Sequence, residues 1–242
     1  MANLLIVIGN TAVKAAWSEA SVLGKTFRYQ GEKVLDFIVA LTEKQTPQVI
    51  ALVSVRDITP EEESTLRGLC QHLLLLDTFH PDALAPMGMP PYLTSDRACS
   101  LIAARHMFKD KPCTVFDFGT TLTVDFMDAA GNYLGGNISL GCRTRFKALN
   151  RYSRALPLVD MPAEVKFPGD SGRSSIESGI ISGIVFEIEG YIRRNPDNIL
   201  IFTGGDANYF AKKMKNSIFV IGNLGLMGLA IITEEYVSKN IQ

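Results

Sequence analysis

The sequence predicts an α/β protein made of two duplicated lobes, each a mixed sheet flanked by helices. Three observations predict it. Short apolar runs rich in β-branched residues alternate with longer stretches of helical periodicity. A strand–glycine turn–strand block occurs twice: Ile6-Val7-Ile8-Gly9-Asn10-Thr11 is matched by Phe116-Asp117-Phe118-Gly119-Thr120-Thr121, and the second copy starts near the middle of the chain. A chain of 242 residues is also long enough for two small cores. The expected division is 1–112 and 113–242, at the polar break Lys109-Asp110-Lys111-Pro112, with the last helix free to pack back on the first lobe.

In the first half, Leu4–Ile8 reads as a buried strand ended by Gly9, followed by strands at Val13–Ser18 and Thr26–Gln30. Val34–Thr42 has helical periodicity and Val49–Val55 is again an apolar strand. Thr59 is placed to cap a helix opened by Pro60, with Glu61, Glu62 and Glu63 favouring the positive end of its dipole. Leu73–Leu76 is a strand, and the Pro-, Gly- and Met-rich stretch Pro81–Pro91 reads as irregular. Thr94 or Ser95 caps a helix running through Asp96, Ile102 and Met107.

The second half repeats the theme. Strands are expected at Thr114–Phe118 and Leu122–Met127, a turn at Gly131-Asn132 and a strand from Tyr133. Helices follow at Arg143–Ser153 and Ser174–Arg194. Asn198–Phe202 is a strand leading into Thr203-Gly204-Gly205 and a helix from Ala207, and Ile218–Ile221 precedes a closing helix over Leu224–Val237.

Composition excludes several classes. A formal net charge of −1 argues against a nucleic-acid partner. No run has the length of a membrane-spanning helix, and the apolar start lacks the basic region of a signal peptide. Cys70, Cys99, Cys113 and Cys142 show neither CxxC spacing nor a nearby histidine pattern, so reduced thiols in the cytoplasm are expected. His72, His80 and His106 are scattered. Arg143, Arg145, Lys147, Arg151 and Arg154 read as the solvated face of a helix.

The chemistry points to phosphate. A glycine turn between strands lets the backbone approach a phosphate, with N–H groups and hydroxyls at hand. Gly9-Asn10-Thr11 and Gly119-Thr120-Thr121 both fit, and Lys14 adds a cation. Neither a Walker GxxxxGK[ST] nor a GxGxxG opening a helix is present. The arrangement resembles the paired phosphate loops of the RNase H-like actin/hexokinase/Hsp70 superfamily, with Gly204 and Gly205 similar to its adenosine loop.

Five ordered blocks narrow the resemblance. Ile6–Lys14 (IVIGNTAVK) resembles DxGNTxxK, and Asp117–Asp125 (DFGTTLTVD) resembles DxGTxxTxD. Gly135–Gly141 (GGNISLG) resembles GGxIxPG, Tyr92–Arg97 (YLTSDR) a Tyr followed by GxDR, and Ser175–Gly179 (SIESG) AIxSG. Together they resemble the type III pantothenate kinases. That resemblance implies ATP-dependent phosphorylation of pantothenate at the first step of coenzyme A synthesis, with Mg²⁺, a monovalent cation (K⁺ or NH₄⁺), and a homodimer whose interface helps build the substrate site. It implies Asp96 as catalytic base, substrate contacts from Tyr92, Thr94, Ser95, Arg97 and Gly172, and a monovalent-cation ligand in Asp117. It also implies ATP contacts from Val7, Gly9, Asn10, Thr11, Lys14, Gly119, Thr120, Thr121, Gly204 and Gly205. The chain departs from the pattern at Val7 (Asp in the family), Thr94 (Gly), Leu140 (Pro) and Gly172 (Thr). These departures keep two alternatives open: a catalytically impaired paralogue that binds or regulates, and a kinase of the same fold for another small hydroxyl compound.

Overall fold

The computed structural model describes residues 2–76 and 81–241; His80 lies outside them. The chain forms two compact units, one of residues up to Met107 together with those from Asn223 on, the other of Phe108–Gly222.

The first unit holds β1 (Asn3–Ile8), β2 (Val13–Glu19), β3 (Val22–Tyr29), α1 (Val34–Thr42), β4 (Val49–Ser54), α2 (Pro60–Gly68), β5 (His72–Leu76), α3 (Ser95–Met107) and α7 (Leu224–Asn240). Its sheet runs β3-β2-β1-β4-β5, with β1 antiparallel to β2 and parallel to β4. Alternation puts Leu4, Ile6 and Ile8 on one face, where they pack with Ile38 of α1 and Leu66 of α2. The opposite face is covered by α3 and α7. These two helices approach closely because small residues line the crossing: a Cβ on Gly228 would lie 1.8 Å from the Cys99 carbonyl oxygen.

Local chemistry explains the boundaries. Thr59 and Glu62 form a reciprocal capping box, each side chain accepting from the other's backbone N–H, with Pro60 at the first helical position. β3 starts at Val22 rather than Thr26, because a register shift at Ala16/Ser18 and Ala20 at φ 51 make a tight hairpin that polar residues conceal in the sequence. The stretch expected to be irregular contains a 3₁₀ helix, Pro81–Met87, ended by Gly88 at φ 74; its i→i+3 turns tolerate prolines that an α-helix interior would not.

The second unit holds β6 (Cys113–Phe118), β7 (Thr121–Met127), β8 (Tyr133–Leu140), α4 (Cys142–Tyr152), α5 (Gly172–Arg194), β9 (Ile199–Gly204), α6 (Ala207–Ala211) and β10 (Ile218–Val220). Its order, β8-β7-β6-β9-β10, repeats the first sheet strand for strand, with the same parallel and antiparallel pairings. Phe116, Phe118, Phe202 and Phe210 form an aromatic centre, closed by Ile180, Ile184 and Ile188 of α5. In both units the first strand has the same sequence of buried positions, broken only at its fifth residue: Val7 in β1, Asp117 in β6.

Candidate functional site

Each unit carries its glycine turns at the end of its sheet where the parallel strands finish. In the first unit, Gly9, Asn10, Thr11 and Ala12 join β1 to β2, and the Gly9 N–H donates to the Ala12 carbonyl at 3.0 Å. Val7 precedes this turn, on the face of β1 opposite Ile6 and Ile8 and therefore on the side covered by α3 and α7. Its register partners are Lys14 and Val53, so position 7 contributes no oxygen to the row. A cavity of about 450 Å³ lies behind the turn, lined by Asn10, Thr11, Tyr29, Glu32, Arg56 and Glu62.

Arg56 was not singled out in the sequence, and Glu62 only as a first-turn acid of α2. Arg56 makes a two-pronged pair with Glu62, at 3.0 and 2.8 Å. The pair holds the Glu62 carboxyl below its usual range and the guanidinium above its own. The T-x-x-E capping spacing Thr59–Glu62 was the available signal.

Asp96 stands in the first turn of α3. The Thr94 carbonyl accepts the first helical bond, from Ala98 at 2.9 Å, and the Asp96 carbonyl accepts from the Ser100 hydroxyl at 3.2 Å. The Asp96 Oδ1 atom is buried without a hydrogen-bond partner among the described residues. A desolvated carboxylate oxygen with no donor costs free energy, on the order of 1–3 kcal/mol or more, until a donor arrives. Ser95 and Arg97 flank it and are half-buried, while Tyr92, in the preceding turn, is exposed.

In the second unit, Gly119, Thr120 and Thr121 lead from β6 into β7, and the Gly119 N–H donates to the Thr121 carbonyl at 3.0 Å. In both turns, then, the glycine's own N–H closes the turn. The glycines without room for a side chain come later. A Cβ on Gly204, which is at φ +92, would lie 2.4 Å from Asp117 Oδ1 and 2.6 Å from the Phe118 backbone. A Cβ on Gly141 would lie 2.1 Å from the Gly119 carbonyl oxygen. Gly204, Asp117 and the second turn are therefore in direct contact, and Gly205 follows at the mouth of β9, where a side chain would meet no atom within 4 Å. The Thr120 carbonyl accepts from the Gly141 N–H at 3.0 Å and the Thr144 hydroxyl at 2.7 Å, so the start of α4 fixes the turn. Sequence reading missed Thr144; its signal was a helix opening directly after the GGNISLG block.

Gly172 opens α5, and a Cβ there would meet nothing within 4 Å, so the backbone imposes no glycine. Two of the sequence blocks meet in an apolar groove of about 570 Å³, where Leu140 of β8 faces Ser175, Ile176 and Gly179 of α5. The basic stretch is not uniformly solvated. Arg145 is mostly buried, paired with Glu187, and donates to Ser139 Oγ at 3.1 Å and the Leu140 carbonyl at 2.7 Å. Burial pushes the Tyr209 phenol, whose hydroxyl has no hydrogen-bond partner among the described residues, up to about 12.

Comparison with known proteins gives a coherent result. The family model described as type III pantothenate kinase matches residues 3–194. The chain is 35% identical over 236 residues to a type III pantothenate kinase of Flavobacterium johnsoniae, covering 94% of this chain and 95% of that one. Among solved structures it resembles the activator of 2-hydroxyisocaproyl-CoA dehydratase from Clostridium difficile with bound ADPNP, at TM-score 0.60 and 12% identity, covering 100% and 98% of the two chains. It also resembles the ROK hexokinase of Thermus thermophilus, at TM-score 0.53 and 12% identity, covering 96% and 98%. These likenesses identify the fold as the duplicated actin/hexokinase type.

Proposed function

The chain belongs to the type III pantothenate kinase family, and from that membership we infer that it transfers the γ-phosphoryl group of ATP to the 4′-hydroxyl of pantothenate, the first step of coenzyme A synthesis. The observation that carries the reading is the set of five motif blocks, in family order, on a fold whose two units repeat the same sheet.

Phosphoryl transfer is catalysed by positioning and charge neutralisation more than by covalent chemistry. Asp96 acts as the base. Its unpartnered buried Oδ1 is an acceptor that the substrate hydroxyl would satisfy, which aligns the nucleophile and receives its proton. Arg97, Ser95, Thr94 and Tyr92, on the same stretch of the first unit, hold substrate. In the first unit Asn10, Thr11 and Lys14 are the phosphate contacts; in the second, Thr120 and Thr121 are. Gly9 and Gly119 shape those turns, and Gly204 and Gly205 admit the adenosine.

Among the described residues no group of three His, Cys, Asp or Glu is placed to hold a metal ion. Mg²⁺ needs no such cage, since it binds through one or two carboxylates and phosphate oxygens, where it neutralises charge on the phosphates. The donor set fits that mode, and Asp117 is the carboxylate that would hold the monovalent cation beside Gly204. A homodimer is supported by the exposed apolar residues Leu134, Ile138, Leu140, Tyr152 and Phe186 of the second unit. A cytoplasmic location is consistent with four free cysteines and, among the described residues, no helix long and apolar enough to cross a membrane.

The test is a coupled ADP-release assay with ATP, Mg²⁺, K⁺ or NH₄⁺, and pantothenate. Turnover is expected, and Asp96→Asn should lower kcat by about 10²–10⁴-fold while ATP still binds. Wild-type protein that binds ATP yet releases no ADP above background with any cation would overturn the activity and favour the binding-protein alternative that Val7 raises.

A further inference from the structure

We propose that Arg143 grips the phosphate chain of the bound nucleotide, and that its ion pair with Asp206 is the resting contact it leaves to do so. This rests on the nucleotide reading of the second unit's two glycine turns. Arg143 is seated between them. On one side, the Thr120 carbonyl of the phosphate turn is held by Gly141 and Thr144, the residues bracketing Arg143 in the chain. On the other, Asp206 follows Gly204-Gly205, and its N–H donates to the Phe118 carbonyl at 3.3 Å, at the edge of the same turn. The guanidinium reaches the Asp206 carboxylate at 3.5 Å, so its side chain spans the gap between the two turns.

The pair is built to exchange. Arg143 is 71% exposed while Asp206 is 10% exposed. An ion pair that long, on a side chain that open, contributes little stability. The neighbouring cation differs: Arg145 is committed to Glu187, Ser139 and the Leu140 carbonyl. The start of α4 is also electrostatically mismatched. It has no side-chain cap and no acid in its first turn, and it carries Arg143 at the end of the helix dipole that favours anions. An approaching polyphosphate resolves the mismatch, because a guanidinium can take two phosphate oxygens at once.

The experiment is calorimetric titration of the full chain with ATP and with adenosine, in wild type, Arg143→Ala, Arg143→Lys and Asp206→Asn. Arg143→Ala should weaken ATP binding about tenfold, the scale of one charge-assisted hydrogen bond, and leave adenosine unchanged. Arg143→Lys should recover part of the loss. Asp206→Asn should tighten ATP binding, and should do nothing when Arg143 is already alanine. Unfolding midpoints without nucleotide should match wild type in every variant. Undiminished ATP binding by Arg143→Ala, or equal losses for ATP and adenosine, overturns the proposal while leaving the kinase reading intact. Wild-type protein that binds neither ligand overturns both.

Discussion

Val7 and Asp117 occupy one structural position in two chemistries. Each is the fifth residue of its strand and the break in an otherwise buried run. Asp117 lies in a row with Thr123 and Thr203, three oxygen-bearing side chains, whereas Val7 lies between Lys14 and Val53. An aspartate at 7 would face Lys14 in register, a favourable cross-strand partner. Val7→Asp is therefore expected to be tolerated and to raise kcat/KM for ATP by about tenfold, or about 1.4 kcal/mol of transition-state stabilisation. An unchanged rate in steady-state kinetics would mean that another group already carries that charge. Position 7 was legible in the sequence because the repeat itself supplies the comparison. The crowding that makes Gly141 and Gly204 obligatory was not, because it arises between segments that meet only after folding. The same is true of the orphaned oxygen on Asp96: the family resemblance implied a base there and said nothing of its desolvation.

At the scale of elements, the crossing of α3 and α7 is the tightest helix contact described. A methyl on Gly228 would strike the Cys99 backbone, which cannot swing aside, whereas one on Gly225, a turn earlier, would meet Ser100 Oγ at an ordinary 3.7 Å. Gly228→Ala should destabilise by about 1–3 kcal/mol through overpacking. At about 2–4 °C per kcal/mol for a chain of this size, that is a thermal midpoint lower by roughly 5 °C. Gly225→Ala should match or exceed wild type, since alanine is the better helix former. Differential scanning calorimetry of the two variants side by side reads the contrast. Strands and helices were legible because period and punctuation agree over most of the chain. β3 and the 3₁₀ helix were not, since a hairpin bulge and a proline-tolerant turn carry no periodic signal.

For the molecule as a whole, burial couples stability to pH through the thiols. It pushes Cys113 up to about 11 and Cys142 up to about 12, and Cys99 is raised as well. In the folded chain these groups keep protons that the unfolded chain releases once pH passes the ordinary thiol value. Their contribution is therefore complete below about pH 9 and is lost as pH climbs toward the folded values. The urea midpoint should fall between about pH 8 and about pH 10.5, less steeply in Cys142→Ala. A midpoint that is flat across that range would contradict the assignment.

The place of α7 has a consequence for synthesis. The first unit is split by the second, so its closing helix leaves the ribosome only after the entire inserted unit has been made. Until then, the apolar face of β1 and β4 awaiting α7 stays partly bare on the nascent chain. The inserted unit, contiguous in sequence, can mature first. Any lesion that halts translation beyond Gly222 would strip the amino-terminal half of its roof while sparing the half made last before it.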